Sequence, residues 1–213
     1  GRRMSRAENR EGRLPPESLD AVEAEAWAFL EAGGRSFRAP FHSGVIGTLG
    51  AEGPSTRVVI LRGADGPRRR VWCHTDTRSP KFAEIRADPR VAWTLYDEPS
   101  RLQFRLWGRA SLHHDDALAD ERWAATAMNS RKIYQAVVAP GTVSPVPTTG
   151  HPPELDDERW TLEFSERGRP NFAVVETVVT RLEALYLHHA GHRRIGIHYG
   201  ADGQRLSADW LVP

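Results

Sequence analysis

Residues 17–32 carry apolar side chains at the spacing of one face of an α-helix. The positions on that face are Leu19, Val22, Ala26, Phe29 and Leu30. Gly33 and Gly34 follow directly, and glycine is the residue that most often ends a helix. The pattern therefore predicts an amphipathic helix that stops at this glycine pair.

Five short runs of strand-type residues follow the helix, between residues 44 and 113. They are GVIGTLG, STRVVILRG, RRVWCHT, RVAWTLYDE and LQFRLWGRASLH. Clusters such as GAEGP and GADGP separate the runs and are typical of tight turns. Many short strands joined by turns predict a mainly β fold, either an antiparallel barrel or a sandwich.

Short helices interrupt the strands at two places. The first is predicted between residues 79 and 89, where Ser79 is a suitable N-cap and Pro80 fits the first helical position. The second is predicted over residues 115–128, where the candidate caps are Asp115 and Asp116.

The second half of the chain begins with a Pro-, Gly- and Thr-rich segment at residues 140–159, which is predicted to be a long irregular loop. Strand character then returns in three segments. They are residues 160–164, 171–189 and 193–200.

Length and charge narrow the possible functions. The 213 residues suit one domain, predicted over residues 17–213 after a disordered leader at residues 1–16. Because 29 basic residues nearly balance 28 acidic ones, no nucleic-acid partner is expected.

No apolar run is long enough for a membrane helix, and the single cysteine, Cys73, suits a reduced compartment. A cytoplasmic protein without membrane contact is therefore expected.

The stretch HTDTRSPK, residues 74–81, concentrates polar groups behind an apolar run. Ser79 begins the first predicted short helix, and the free amides at a helix N-terminus favour an anion such as phosphate. Arg78 and Lys81 add charged donors at the same point. Two interpretations stay open at this stage: a phosphate-binding loop, and an ordinary helix start with solvated charges.

Alternation along the strands assigns faces to other polar residues. In residues 102–112 one face is apolar, and the other is the less buried face on which a ligand can be reached. The residues predicted on that second face are Gln103, Arg105, Trp107 and Arg109. Arg57 and Arg62 lie five positions apart, so they are expected to point to opposite faces and to serve different partners.

Four segments, in this order, resemble the pyridoxamine 5'-phosphate oxidase family of FMN-binding split β-barrels. They are STRVVILRG, WCHTDTRSPK, DPRVAWTLYDEPSRLQFRLWGRASL and GHRRIGIHYG. The similarity spans residues 25–213, and the second segment carries the TD-x-RS-x-K motif of the oxidase-related branch. The resemblance implies a predominantly antiparallel split barrel with peripheral helices. It also implies a homodimer with FMN sites at the subunit interface and a small-molecule substrate.

The same resemblance, together with the position of Ser79 at the helix start, implies a set of FMN contacts. They are Arg57, Val58, Val59, Ile60, Leu61, His74, Thr75, Arg78, Ser79, Lys81, Gln103 and Arg194. Arg57 would bind the phosphate, and the backbone of residues 58–61 would lie along the flavin ring. Arg78 would stand in for a family arginine that Pro80 replaces here. The flavin itself would perform the redox step, so no catalytic side chain is expected.

At the substrate half of the site, this sequence departs from the family's motifs at several positions. The resemblance places Arg62 and His192 against the substrate, but Ala190 replaces the first arginine of the family's R-L-H-D-R motif. The substrate-phosphate ligands of true oxidases are expected in the helix around residues 123–130. The residues found there are Trp123, Ala127 and Ser130.

Histidines 188, 189 and 192 form the sequence HHAGH, which has the i, i+4 spacing of some metal sites. That spacing presumes a helix, whereas this segment is predicted to be a strand end and a turn. No carboxylate or cysteine accompanies it in the sequence, so no metal is expected.

The leading hypothesis is an FMN-dependent oxidoreductase that takes a hydride from a small molecule and can pass electrons to oxygen. The alternative is a non-catalytic flavin-binding module in which the loop at residues 140–159 covers the flavin. A structural protein on the same fold without any ligand is the third hypothesis.

Overall fold

The computed structural model describes residues 11–213, which form strands and short helices. In chain order these are α1 (Leu19–Arg35), β1 (Ser43–Gly50), β2 (Gly53–Ile60), β3 (Gly63–Asp65), β4 (Arg70–Asp76), α2 (Pro80–Ala87), β5 (Arg90–Asp97), β6 (Leu102–His113), α3 (Ala117–Ala124), α4 (Met128–Arg131), a 3₁₀ turn (Lys132–Gln135), α5 (Leu162–Ser165), a second 3₁₀ turn (Glu166–Asn171), β7 (Phe172–Tyr186), β8 (Arg193–Tyr199) and β9 (Arg205–Leu211). None of the described helices combines the length and the apolar character needed to cross a bilayer.

The strands form one sheet with the order β2-β1-β5-β6-β7-β4-β3, and β8 pairs with both β7 and β9. The pairs β1–β2, β1–β5, β3–β4, β5–β6, β7–β8 and β8–β9 are antiparallel. The predicted mainly antiparallel β fold is therefore confirmed. β3 and β9 were not expected from the sequence.

One row of paired residues across β2, β1, β5 and β6 defines the two faces of these strands. Arg57 of β2 lies opposite Ile46, Ile46 lies opposite Trp93, and Trp93 lies opposite Leu106 of β6. Ile46, Trp93 and Leu106 are buried. Because side chains alternate along each strand, this row marks the inner face, and its neighbouring positions mark the outer face.

The larger of two compact units comprises residues 11–73, 90–110 and 176–213 among those described. Its core combines aliphatic and aromatic residues. Buried members include Val22, Leu30, Ile46, Leu61, Trp93, Leu106, Leu182 and Ile197. Cys73 is also buried, as predicted.

The smaller unit comprises residues 74–89 and 111–175. Its core is aromatic: the rings of Trp123, Tyr134 and Phe172 contact one another, with centroids 5.8, 5.2 and 5.3 Å apart. Residues 140–159 contain no helix or strand, which confirms the predicted loop.

Residues 1–10 of the predicted leader lie outside the described residues. In residues 11–16, the Arg13 main-chain N–H donates to the Ser100 carbonyl oxygen at 3.0 Å, and its guanidinium contacts Glu25. The extent of a single domain over residues 17–213 stays a prediction.

Helix α1 passes through the glycine pair that was predicted to end it and continues to Arg35. The prediction was wrong because these glycines serve close packing. A β-carbon at Gly34 would lie 2.5 Å from the Cα atom of Gly63, and one at Gly33 would lie 2.8 Å from the Phe41 carbonyl oxygen. Only a residue without a side chain fits at this depth.

The strand predicted over residues 160–164 is also wrong, because Leu162–Ser165 form helix α5. The Thr161 hydroxyl accepts a hydrogen bond from the Phe164 main-chain N–H at 3.1 Å, which is a helix N-cap. Glu163 adds a favourable charge in the first turn. A short apolar run does not distinguish a strand from one turn of helix. Here the Thr161 cap favours the helix.

The two other predicted helices are present with adjusted ends. Helix α2 begins after Ser79 with Pro80 in its first turn, as predicted. Helix α3 ends at Ala124, four residues short of the predicted end. Of its two candidate caps, Asp116 is the N-cap, and its Oδ1 accepts from the Ala119 main-chain N–H at 2.9 Å.

Candidate functional site

Strand β6 divides its side chains as the alternation predicted. Leu102, Phe104 and Leu106 are fully buried on the inner face. Gln103 and Trp107 lie on the outer face and are partly exposed. The outer face of this strand therefore carries the polar groups that can meet a ligand.

A cationic pocket of about 160 Å³ opens beside Gln103. Its lining residues are Gln103, Arg105, Glu183, Leu185, His192, Arg194 and Pro213. Three residues that the family resemblance had implied, Gln103, His192 and Arg194, are thus brought together from strands β6 and β8 and the turn before β8. This pocket lies entirely within the larger unit.

Glu183 is the acidic residue around which the arginines of the cationic pocket gather. Its side chain is only 2% exposed, and its Oε2 accepts from Arg194 Nη2 at 2.7 Å and from Arg194 Nε at 3.1 Å. Arg105 Nη1 lies 3.6 Å from the same oxygen, and Arg181 contacts Oε1. Three guanidinium groups share one carboxylate, so this cluster has a surplus of positive charge that favours an electron-rich ligand.

Trp107 supports this arrangement from the outer face. The guanidinium carbons of Arg105 and Arg181 lie 4.6 and 4.5 Å from the centre of its indole ring. Contacts of this kind attract a cation to the aromatic ring and fix the planar guanidinium groups. Trp107, which stood out in the sequence as an aromatic residue on a polar face, therefore orients the arginines.

An apolar cavity of about 630 Å³ adjoins the cationic pocket and shares His192, Arg194 and Pro213 with it. Its apolar walls come from both ends of the described chain. They include Leu14, Pro15, Pro16, Trp210, Leu211 and Val212. A cavity of this size suits a small organic molecule.

Strand β2 lies at one end of the sheet order, so its outer backbone edge faces away from β1. Val58 is 71% exposed, whereas Val59 and Leu61 are buried. Arg57 Nη1 donates to Thr48 Oγ1 at 2.7 Å, and its Nη2 donates to Ser55 Oγ at 3.1 Å. These bonds hold the guanidinium through uncharged groups.

Arg57 and Gln103 do not meet on one face of the sheet. Arg57 belongs to the register row that ends at the buried Leu106, which marks the inner face. Gln103 stands three positions before Leu106, so it points to the outer face. A single planar ligand lying on one face of this sheet cannot contact both residues of the same chain.

In the smaller unit, the loop before helix α2 gathers three polar groups. The Thr75 and Ser79 hydroxyl oxygens lie 3.0 Å apart, and Lys81 Nζ donates to Thr75 Oγ1 at 3.2 Å. Ser79 is the N-cap residue of α2, but its side chain makes no capping hydrogen bond. We call Thr75, Ser79 and Lys81 the hydroxyl–lysine cluster.

Arg78, which the resemblance implied as an FMN contact, makes three side-chain hydrogen bonds within the smaller unit. Its Nε and Nη2 donate to the two carboxylate oxygens of Asp76 at 3.0 and 2.8 Å, and its Nη1 donates to the Ala136 carbonyl oxygen at 2.8 Å. The hydrogen bond that Arg78 donates to Asp76, together with the charge of that carboxylate, raises the pKa of Arg78 above its ordinary value. These contacts fix the loop that carries the hydroxyl–lysine cluster.

The remaining candidates have local contacts. The His74 ring lies edge-on to Phe172, with centroids 4.7 Å apart. The Arg62 main-chain N–H donates to the Trp72 carbonyl oxygen at 2.9 Å, which connects the end of β2 to β4. The ring contact places the His74 side chain and the main-chain bond places the Arg62 backbone, but neither contact assigns a ligand.

The comparisons with known proteins decide the family. Residues 31–186 match the family model described as pyridoxamine 5'-phosphate oxidase. Pyridoxine/pyridoxamine 5'-phosphate oxidase 2 of Arabidopsis thaliana is 32% identical over 150 residues, which cover 67% of this chain and 72% of that protein. The chain belongs to the pyridoxamine 5'-phosphate oxidase family. The resemblance seen in the four sequence segments is thereby confirmed.

Solved structures share the split-barrel fold of this family. One is a pyridoxamine 5'-phosphate oxidase-related, FMN-binding protein from Nostoc punctiforme, with a TM-score of 0.68, 20% identity, and coverage of 92% of this chain and 100% of the other. Another is PhzG from Burkholderia lata in complex with tetrahydrophenazine-1-carboxylic acid, with a TM-score of 0.67, 16% identity, and coverage of 95% and 100%. At these identities the likeness establishes the fold alone.

Within the pyridoxamine 5'-phosphate oxidase family, this chain differs where the resemblance had placed the substrate-phosphate ligands. Trp123 is buried, and its indole N–H donates to Glu166 at 3.1 Å. Ala127 is the N-cap of α4, and the Ser130 main-chain N–H donates to the Ala127 carbonyl oxygen. Trp123 therefore packs in the core of the smaller unit, whereas Ala127 is exposed and Ser130 is partly exposed.

The sequence analysis missed Glu183 and Arg181 and did not assign a role to Arg105. A signal for Glu183 was present, since an acidic residue inside the apolar run of β7 needs a buried charged partner. The partners themselves lie on β6, β7 and β8, so the register between strands was needed to find them.

Proposed function

We propose that this protein is an FMN-dependent oxidoreductase that oxidises a small molecule by hydride transfer and is reoxidised by oxygen. Membership of the pyridoxamine 5'-phosphate oxidase family supports the flavin class. The observation that carries the proposal is the hydroxyl–lysine cluster at the start of α2. There a lysine and two hydroxyl groups converge on a helix N-terminus that lacks a side-chain cap.

The hydroxyl–lysine cluster suits a phosphate monoester. Hydroxyl groups can donate to phosphate oxygens, the lysine supplies a positive charge, and the N-terminal end of an eight-residue helix adds a favourable dipole. Arg57 is proposed as a further phosphate ligand, because its Nη1 and Nη2 donate to the hydroxyl oxygens of Thr48 and Ser55 and a phosphate oxygen can replace one of these acceptors. Three of the five N–H groups of Arg78 donate to Asp76 and to the Ala136 carbonyl oxygen, so Arg78 is not counted among the principal phosphate ligands.

The flavin ring is assigned to the outer edge of β2 and to the cationic pocket. Main-chain groups on the edge of β2 that faces away from β1 can bond the polar edge of a flat ring. Gln103 and Arg194 can donate to ring oxygens and nitrogens. When bound, FMN supplies the two-electron chemistry, and the protein orients the ring and shapes the space for substrate.

We infer that the substrate enters the apolar cavity, which His192 lines. Arg62, which does not line it, is proposed as a second polar contact on the family resemblance alone. Apolar walls and the altered residues of α3 and α4 favour a substrate recognised mainly by its organic body rather than by a phosphate group. Turnover of a B6 vitamer is therefore not required by the proposal.

A homodimer is part of the proposal. Arg57 and Gln103 lie on opposite faces of one chain's sheet, so a flavin that contacts both needs one residue from each of two chains. A symmetric pair of chains would then form equivalent sites at its interface.

FMN retention tests the cofactor assignment. After FMN is added and the excess removed, the absorption spectrum should show about one flavin per chain, as expected of a preformed pocket. Lys81→Met and Arg57→Gln should each weaken binding by about tenfold to a hundredfold, because each removes a charged hydrogen bond to phosphate. Lys132→Met is the matched control, since Lys132 pairs only at the surface, with Asp157. Unchanged flavin content in both site variants would overturn the assignment.

The altered substrate-phosphate positions favour a second candidate, a flavin-binding module without turnover. Anaerobic addition of B6 vitamers and of reduced nicotinamides to the FMN-loaded protein separates the two functions. Rapid and saturable bleaching of the flavin by any of these compounds excludes the passive module. A flavin that none of them reduces counts against the enzyme.

A further inference from the structure

A histidine pair that follows β7 lies close to a carboxylate from the first residue that the structure describes. Side-chain ligand atoms of Glu11, His188 and His189 all lie within 4.8 Å of one another. The sequence argument expected no metal because no carboxylate accompanied the histidines, and the fold supplies Glu11 at that place. We propose that these three residues bind a divalent metal ion of the zinc class, independently of the flavin.

Main-chain contacts hold the two segments together. The His189 main-chain N–H donates to the Glu11 carbonyl oxygen at 3.1 Å. Gly12 has a φ of +83°, and a β-carbon there would lie 1.9 Å from the Leu187 carbonyl oxygen, so only glycine permits this approach. The Glu11 carboxylate is therefore placed beside the histidines by the backbone and not only by attraction between side chains.

The donor set matches zinc chemistry. Zn²⁺ binds imidazole nitrogens and carboxylate oxygens at about 2.0–2.2 Å, usually with four ligands. Three protein ligands leave one position for water. Ligand atoms around one tetrahedral Zn²⁺ stand about 3.4 Å apart, so the three side chains need only small rotations to close on the ion.

One local hydrogen bond must change when the metal binds. His188 Nδ1 accepts from the Ala190 main-chain N–H at 3.1 Å. A neutral imidazole has a single unprotonated nitrogen, so a metal at His188 must replace this bond or force the ring to exchange its proton. The site therefore exchanges an existing contact for the metal, and its affinity is expected to fall below that of a preformed site.

The metal-binding turn also borders the cationic pocket. His192 Nδ1 accepts from the His188 main-chain N–H at 3.2 Å, and His192 lines that pocket. Ion binding at His188 and His189 would therefore stiffen the turn that carries His192. The inference itself does not depend on FMN, so its test uses no flavin readout.

Calorimetric titration with Zn²⁺ tests the site on tag-free protein that has been treated with a chelator and freed of it. Wild-type protein is expected to bind about one ion per chain, as a single three-ligand site predicts. Glu11→Gln, His188→Gln and His189→Gln should each weaken binding at least about tenfold. His198→Gln is the matched control, because His198 is an exposed histidine on β8 outside the cluster.

Two further measurements keep the result unambiguous. Excess Zn²⁺ should raise the unfolding temperature of wild type and of His198→Gln, but not of the three ligand variants, whose metal-free unfolding should match wild type. Gly12→Val should weaken zinc binding although it removes no ligand. Failure of wild type to bind Zn²⁺, or equal affinity in wild type and all ligand variants, would overturn the site. Neither result would bear on FMN binding.

Discussion

Asp116 shows at the scale of one residue how a cap couples local structure to pH. Its Oδ1 accepts from the Ala119 main-chain N–H at 2.9 Å, and its Oδ2 lies 2.7 Å from His113 Nδ1. The amide of Ala119 is the main cause that lowers the pKa of Asp116 below its ordinary value of 3.8, and His113 acts in the same direction. The ionised form is therefore favoured in the folded protein.

A carboxyl whose pKa falls on folding stabilises the protein above its ordinary pKa, and that stabilisation is lost as pH falls through the lower folded value. At neutral pH, Asp116→Ala should reduce the free energy of unfolding by about 1 kcal/mol, since it removes a helix cap. The difference from wild type should shrink as pH falls below the ordinary value of 3.8 and through the lower pKa of folded Asp116.

Urea unfolding at neutral pH, at about pH 4 and at about pH 3 measures this difference. Asp116→Asn is the control, because asparagine also caps helices but does not titrate. If Asp116→Asn and wild type lose stability in parallel over this pH range, Asp116 is not the titrating group.

At the scale of an element, helix α1 depends on its two glycines for close contact with the backbone of Phe41 and of Gly63 in β3. A β-carbon at Gly34 would lie 2.5 Å from the Gly63 Cα atom. That atom belongs to the backbone, so it cannot move away as the end of a flexible side chain could. Helix propensity alone predicts that alanine at this position stabilises the helix by about 1 kcal/mol. Packing predicts the opposite sign.

We expect Gly34→Ala to destabilise the protein by about 1–3 kcal/mol, because the helix must move away from β3 to admit the methyl group. Chemical unfolding measures the change. Ala28→Gly, at an exposed position of the same helix, should show the ordinary glycine cost of about 1 kcal/mol. A stabilised Gly34→Ala variant would mean that α1 and β3 are not packed as closely as described.

At the scale of the whole molecule, the two faces of the sheet decide how a flavin can be held. The inner face carries Arg57 and the outer face carries Gln103, although both strands belong to the same unit. If both residues touch one flavin, the site must be shared between chains. Mixed dimers distinguish a shared site from a site within one chain.

Arg57→Gln removes a proposed phosphate ligand, and Gln103→Trp fills the cationic pocket, so each variant alone should lose FMN. A heterodimer of the two variants, purified through two different affinity tags, contains one shared site in which both positions are wild type. It should therefore retain about one FMN per dimer. Sites built within single chains would leave the heterodimer without flavin, and that result would contradict the shared arrangement.

Much of the local structure could be predicted from the sequence. Alternation placed Leu102, Phe104 and Leu106 inside and Gln103 outside, because a strand has only two faces. Ser79 was found as one helix start, and the other was narrowed to Asp115 or Asp116, because capping depends on neighbouring residues. The prediction failed at residues 160–164, where one turn of apolar residues fits either element.

The candidate site was predictable only in part, because local spacing groups residues within a motif but does not show which partners they choose in the fold. Thr75, Ser79 and Lys81 lie within one short motif, and local spacing was enough to group them. Arg78 belongs to that motif too, but Asp76 takes its guanidinium, and the sequence alone did not rank these competing partners.

The sequence by itself determined the strand faces, two helix starts and the family, because each of these depends on residue order or on spacing along a few residues. Tertiary structure decided that three arginines converge on Glu183, that Glu11 meets His188 and His189, and that Gly34 packs instead of ending α1. Those contacts join residues far apart in the chain. They depend on strand register and backbone approach, which only the folded chain defines.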